Sequence, residues 1–527
     1  MQQQRRIFLL GAARLAGLGA ACAAPAPALS RAAGGAPYPF SLGVASGSPL
    51  PGSVILWTRI LANPLDAASA PPVALSVRWE VAHDQAFTRI AAKGAAIAVP
   101  ALAHSVHVDV TGLQPERWYF YRFMLGDAVS PVGRTRTAPA PDAMPGLLKM
   151  AVASCQHWEF GSYAAHRHIA AAAPDLVTFL GDYIYEWGAY SLQHPTTARR
   201  IDESFTLADY RARYAQYKSD ADLQSAHLAA PWIVTWDDHE VANDYARDYD
   251  ERRDPNFAAR RAAAYQAFYE HMPLRLVQPR ANGYADLRIY QRYDWGRLAR
   301  LHVLDDRQYR AVHACAPATR GGSSSVLRSC RALRDPARSM LGAAQESWLD
   351  EGLKSSKARW NIVAQQTPMA QSSQLPIRRP GEGRIWTDGW DGYPVARERL
   401  FDALRSSAAA NPIVLAGDVH TFYATNLQRD FDRPASKGNP VIATEFCGTS
   451  VTSGSRPQAR TLQYLDMNRH VKYGRSDKRG FMLMEITPAK TTNVFVGLDD
   501  VRDPTSKAQA LASFVVEDGI AGARQRT

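Results

Sequence analysis

After its first thirty residues the chain has no apolar stretch near the roughly 20 residues that a membrane helix needs, which excludes a helical membrane protein. It has no dense block of Lys and Arg, although 61 basic residues outnumber 50 acidic ones and give a formal charge of +11. Such scatter describes a solvated basic surface or a field that draws in anionic substrates, and it identifies no dedicated nucleic-acid module. Several catalytic signatures are missing too. There is no Gly-x-Ser-x-Gly elbow, no Walker loop, no zinc-binding His-Glu-x-x-His helix and no EF-hand loop. His239-Glu240 comes close to the zinc helix, but Val241-Ala242-Asn243 follows and the pattern fails. No internal repeat is visible.

What is present describes a globular protein. The chain has 527 residues, 46% hydrophobic and 21% charged, enough for two or three domains. Residues 1–30 read as an export signal. Gln4-Arg5-Arg6-Ile7-Phe8-Leu9-Leu10 has the twin-arginine pattern, a weakly apolar Ala/Gly/Leu stretch follows, and Ala26-Pro27-Ala28 offers a cleavage site. The expected partner is the twin-arginine machinery, and the expected destination the periplasm or the medium, as a monomer. Cys22 leaves with the signal, or is a lipidation site. An oxidising compartment favours a disulfide between Cys315 and Cys330, which flank a Gly/Ser/Arg-rich loop.

Two textures divide the mature chain. Residues 37–142 carry short alternating apolar runs, such as Ala74–Val81 and Trp118–Phe123, separated by turn-rich pieces. That pattern predicts a small antiparallel β-sandwich of fibronectin or immunoglobulin type. Residues 147–527 alternate strand and helix patterns, which predicts a layered α/β domain. Strands are expected at Leu147–Ser154, Asp175–Leu180, Trp232–Trp236, Arg288–Tyr293, Leu298–Leu304, Trp360–Gln365 and Ile413–Ala416. Helices are expected at Tyr163–Ala173, Arg260–Glu270 and Ala396–Arg405. The stretch from about 505 is read as a helix over the site or a plain surface element. The segments 186–225 and 373–386 are expected to shape or cover the pocket.

Four apolar strands end in the same kind of punctuation. They lead into Ser154-Cys155-Gln156-His157, Gly181-Asp182-Tyr183-Ile184-Tyr185-Glu186, Trp236-Asp237-Asp238-His239-Glu240 and Gly417-Asp418-Val419-His420. Ligands bind at the carboxyl ends of strands in open α/β sheets. Crowded carboxylates cannot all ionise without cations, so the repetition predicts a metal site. Hard oxygens suit calcium, magnesium or manganese, whereas a thiolate and a phenolate suit iron. Taken singly, Cys155 reads as a small buried hydrophobe or as half of a disulfide with Cys447, and His420 as a satisfied core histidine.

These segments resemble the PhoD-type alkaline phosphatases, of the wider calcineurin-like metallophosphatase fold. Leu304-Asp305-Asp306-Arg307-Gln308-Tyr309-Arg310, Trp390-Asp391-Gly392-Tyr393 and Asn243 carry the resemblance as well. It implies an α/β catalytic domain with a sheet sandwich flanked by helices, and phosphoester hydrolysis by a metal-activated hydroxide. It also implies Fe3+ and Ca2+ as cofactors. By the same resemblance Cys155, Asp182 and Tyr185 are ligands on the iron side. Asp238, Asp391 and Asp418 serve the metal cluster, and His420 is a ligand or close to one. His239 and Asn243 would sit near the phosphate. Which of Asp237 and Asp238 binds metal stays open. Carboxylate and thiolate replace the imidazole and amide usual in the wider fold, which argues against a plain zinc or manganese enzyme. The implied substrate is a small phosphate mono- or diester, with phospholipid or nucleic-acid-derived esters included. Competing readings are a phospholipase D-like diesterase and a non-enzymatic surface protein.

Overall fold

The computed structural model describes residues 38–188, 202–275, 283–317, 319–407 and 409–526. The twin-arginine segment and Cys22 lie outside the described residues. Two sheets stack at the centre of the molecule. The first has ten strands, in which Leu148–Ala153, Leu176–Phe179 and Trp232–Val234 run parallel side by side. The second has seven, in which Ala299–Val303, Trp360–Ala364, Pro412–Ala416 and Val441–Cys447 are parallel. Each core strand is a near-continuous apolar run because both of its faces are covered.

Successive side chains on a strand face opposite ways, and the packing follows that alternation. Met150 and Val152 of the first sheet meet Leu301, Val303, Ile362, Ala364, Ile413 and Leu415 of the second, forming the inter-sheet core. Their neighbours Ala151 and Ala153 point outward onto Tyr210, Tyr214, Tyr217 and Phe268, from the helices Leu207–Lys218 and Phe257–His271. Val363 and Val414 face the opposite outer layer, against Leu349, Leu353, Leu400 and Phe401 of Gly342–Lys354 and Pro394–Ser406. The result is a four-layer helix–sheet–sheet–helix sandwich, the layered α/β class expected.

The N-terminal strands form a second sandwich. Val44–Leu50, Ser53–Arg59 and Ser105–Val110 face Leu75–Ala82, Ile90–Ala98, Trp118–Leu125 and Gly133–Arg136 across a core of Val54, Leu56, Val77, Val81, Tyr119, Tyr121 and Phe123. The first three strands also continue the ten-stranded sheet, through a parallel bridge from Gly47 to Trp232. A Cβ at Gly47 would lie 2.5 Å from the Pro273 carbonyl and 2.6 Å from that of Trp232, so only glycine permits this approach.

Two expectations need correction. The stretch after 505 is neither a helix nor a plain surface element. Ala508–Glu517 is a strand of the ten-stranded sheet, and its Phe514 and Val516 enter the inter-sheet core. The strand placed at Arg288–Tyr293 begins later, at Gln291, because Leu287 and Ile289 are spent on packing against the outer helices. Cys315 and Cys330 form the expected disulfide.

Lys218 is fully buried at the junction of the two sandwiches, its ammonium 4.2 Å from the Trp57 ring centre and 5.2 Å from that of Tyr183. Burial pushes its pKa down to about 7 from 10.5. Between those values the unfolded chain holds a proton that the folded chain does not. Stability therefore rises with pH across the window, by about 1.4 kcal/mol per unit, and is flat below it. Lys218→Met is expected to remove this rise and to stabilise the protein at neutral pH. Chemical denaturation between pH 6 and 10 reads it, and an unchanged slope would mean that the lysine folds charged.

Candidate metal centre

The parallel strands of both sheets end at the same edge of the sandwich, and their first loop residues turn sharply. Cys155, Asp182, Asp418 and His420 all have positive φ, between +54° and +62°. This conformation is uncommon for residues other than glycine and clusters at functional sites. Here it swings each side chain off its strand and into one space. Gly181 between them, at φ +101°, is required, since its Cβ would sit 2.5 Å from the backbone and Cβ of Asp237.

Three overlapping groups result, each with ligand atoms within 4.8 Å of one another: Cys155, Asp182 and His420; Asp182, Asp238 and His239; Asp237, Asp238 and Asp418. Shared Asp182 and Asp238 link the three into one centre. Tyr185 joins it, its hydroxyl donating to Asp182 Oδ2 at 2.9 Å and lying 3.2 Å from His420 Nε2. His420 Nδ1 meets the Gly454 carbonyl at 2.6 Å, which leaves Nε2 facing the centre. Glu186 holds His239 through Nδ1 at 2.7 Å and takes the Asn243 N–H at 2.7 Å. Asn243 directs its side-chain amide to Glu251 at 3.1 Å.

The frame beneath is electrostatic. The Glu240 carboxylate accepts the N–H groups of Asp182, Tyr183 and Asp237 at 2.6–3.0 Å, tying two strand ends together. Arg307, with no exposed side-chain surface, lies among four carboxylates. Its Nε donates to Asp237, its Nη1 to both oxygens of Asp388 at 2.8 Å, and its Nη2 to Asp418 at 3.3 Å. Asp238 Oδ1 is 3.4 Å from Nη2, an ion-pair contact without hydrogen-bond alignment. One guanidinium is too little. Burial, reinforced by neighbouring carboxylates, pushes Asp182, Asp237 and Asp418 well above the usual carboxylate range. Burial and then Asp182 raise the Cys155 thiol in the same way. Burial would raise Asp388 too, but Arg307 and Arg310 outweigh it and hold that carboxyl low.

The donors fit cations. Among the described residues, Asp237 Oδ2 and Asp238 Oδ1 are buried without a hydrogen-bond partner, as carboxylate oxygens aimed at a cation would be. A thiol, a phenol, an imidazole and several carboxylates make a mixed donor set. Both Asp237 and Asp238 reach the centre. Cys155 and Cys447 are separate buried thiols, so the alternative disulfide does not form.

Asp391 lies elsewhere. Its carboxylate accepts the Ser372 N–H at 2.6 Å and Arg397 Nη1 at 2.8 Å. Asp388, three residues earlier in the same loop, is the one that reaches Arg307. Sequence reading gave no role to Arg307, Asp388, Glu186 or Ser453, whose hydroxyl donates to Tyr185 at 2.7 Å. Arg307 and Glu186 stood in segments singled out there, each a few residues beyond a buried apolar strand, whereas Asp388 and Ser453 left no signal.

Residues 150–495 match the family model described as PhoD-like phosphatase, and residues 24–139 match that of its N-terminal domain. The chain is 43% identical over 537 residues to alkaline phosphatase D of Bacillus subtilis (strain 168), across 99% of this chain and 89% of that protein. A solved structure of PhoD superposes with a TM-score of 0.86 at 43% identity, covering 93% of this chain and 92% of the other. A purple acid phosphatase, PPD1 from yellow lupin (Lupinus luteus) seeds, superposes at 0.54 with 11% identity, covering 90% and 73%, which bears on the fold alone.

Arg307→Met should destabilise the metal-free protein by about 3–5 kcal/mol, the usual cost of leaving buried charge uncompensated. Denaturation in the presence of a chelator measures it. A loss below about 1 kcal/mol would mean that the carboxyls protonate instead and need no internal cation.

Proposed function

The chain belongs to the PhoD-like phosphatase family, and from that premise we propose an exported phosphomonoesterase or phosphodiesterase that recovers phosphate outside the cytoplasm with iron and calcium. Family membership makes it a metal-dependent phosphoester hydrolase. The finer reading rests above all on one observation: thiol, phenol, imidazole and carboxylates converge through shared Asp182 and Asp238. Cys155, Asp182 and Tyr185, with His420 beside them, are the ligands proposed for iron, since thiolate and phenolate favour it. Asp238 and Asp418, with Asp237 adjoining, are proposed for calcium through hard carboxylate oxygens. Asp391 has no part in this assignment, because Arg397 and Ser372 occupy its carboxylate.

Bound cations supply Lewis-acid polarisation of the phosphoryl group and activation of water. The chain's own residues position and neutralise. With Nδ1 held by Glu186, His239 keeps Nε2 for an oxygen of the ester. Burial opposes a charge on this imidazole, but Glu186, Asp238 and Asp182 outweigh it and raise its pKa, so it favours an anionic group. Asn243, its backbone anchored on the same Glu186 and one amide N–H on Glu251, has its second amide N–H as a neutral donor. Preorganised donors of this kind stabilise charge that develops on phosphoryl oxygens.

The disulfide Cys315–Cys330 supports an oxidising destination, and the twin-arginine pattern at Arg5-Arg6 supports the route. Among the described residues no helix is long and apolar enough to cross a membrane.

Elemental analysis of native protein should find stoichiometric iron and calcium, and the absence of both would sink the assignment. Cys155→Ser is expected to lower iron content and turnover at least tenfold. Unchanged iron and unchanged rate would reduce Cys155 to packing. Comparing a soluble monoester, a soluble diester and phosphatidylcholine resolves the ester class. Failure to cleave any of them with both metals present would overturn the proposal.

A further inference from the structure

A two-stranded ribbon stands at the rim of the centre. Its strands, Ser325–Leu327 and Arg384–Trp386, pair antiparallel with Ser325 opposite Trp386, Val326 opposite Ile385, and Leu327 opposite Arg384. Its base is tied into the charged frame. Ser323 donates to Asp244 through its N–H at 3.0 Å and also through its hydroxyl. The Ser324 N–H meets Thr387 Oγ1 at 2.9 Å, and Asp388 holds Arg307. The ribbon is therefore fixed relative to the site without contributing a ligand to it.

Residues directly opposite each other share a face. Val326 and Ile385 form the inner face and pack with Ala314 and Leu333 beside the disulfide. That small core satisfies the ribbon, so its outer face should be polar. Instead Trp386 is 44% exposed and Leu327 57% exposed on the outer face. Leu375 is 38% exposed and follows Gln374, which binds both Ser325 and Arg384. Arginines flank them along the chain. Arg331, Arg378, Arg379 and Arg384 make no ion pair among the described residues. Of the acids nearby, Glu382 is engaged by the backbone N–H groups of Arg378 and Arg379 at 3.1 Å, and Asp432 by Arg328 at 2.8 Å and the Gly381 N–H at 3.0 Å.

An exposed Trp and Leu beside arginines that lack a carboxylate partner among the described residues match one chemistry. An indole settles where acyl chains meet head groups, and arginines reach anionic phosphates while their stems lie along apolar surface. We propose that this ribbon docks the protein on an anionic phospholipid surface, so that the centre meets phosphoesters presented there. The purpose rests on the hydrolase reading, whereas the docking is tested without it.

Flotation of the full-length protein with vesicles of phosphatidylglycerol and phosphatidylcholine, at about 0.1 M salt, decides the matter. The wild type should partition onto them and be released by high salt. Trp386→Ser with Leu327→Ser should cut partition tenfold or more. Arg378→Gln with Arg379→Gln should cut it about 25-fold, at about fivefold per arginine. Both pairs should keep their melting temperature and their turnover of a soluble ester within twofold. Failure of the wild type to bind, or undiminished binding by either pair, overturns the proposal. Sensitivity to the arginines alone would mark a purely electrostatic polyanion site instead. Should the wild type cleave no soluble ester, the hydrolase reading fails while partition still judges the docking.

Discussion

Buried negative charge that the fold must keep together is the constraint on which this molecule turns. Asp182, Asp237, Asp238 and Asp388 are buried and Asp418 largely so, brought together by strand ends of both sheets and one returning loop, where water screens their repulsion poorly. Two devices contain them. Arg307 places a permanent cation at the meeting point of four of these carboxylates. Glu240 adds an acid rather than a cation, and it is stabilised by three backbone N–H groups, so it braces the loops without seeking a metal. What remains uncompensated is concentrated where oxygens lack partners, and that residue of charge is what a metal-dependent hydrolase uses.

Much of the layered architecture was legible because the strands are short, apolar and ended by distinctive residues. Leu148–Ala153, Leu176–Phe179 and Pro412–Ala416 fall within a residue or two of their expected bounds. Helices such as Leu207–Lys218 were harder to see. That helix buries Arg213, Gln216 and Lys218 along with its tyrosines, so polar residues blur its periodicity. Ala508–Glu517 escaped because its outer half is exposed and only Phe514, Val515 and Val516 are deeply buried.

The centre was readable where chemistry and strand ends coincide, as at Cys155, Asp182, Asp238 and Asp418. It was not readable where loops return from far along the chain. The stretch Asp388-Gly389-Trp390-Asp391 offers two carboxylates three residues apart, and only the path of the loop decides that the first meets Arg307 while the second meets Arg397. Glu186 and Ser453 act on His239 and Tyr185 through contacts that no local pattern encodes.

The bridge between Gly47 and Trp232 also affects how the chain can be cut. Trp232–Val234 is the last catalytic strand on its side of the sheet, and the N-terminal strands cover its outer row of donors and acceptors. Removing residues 37–142 would not release a smaller enzyme with one accessory part missing. It would uncover an apolar edge strand, the surface on which separate chains pair and aggregate. The N-terminal sandwich is thus part of the protein's colloidal solubility, whatever else it contributes.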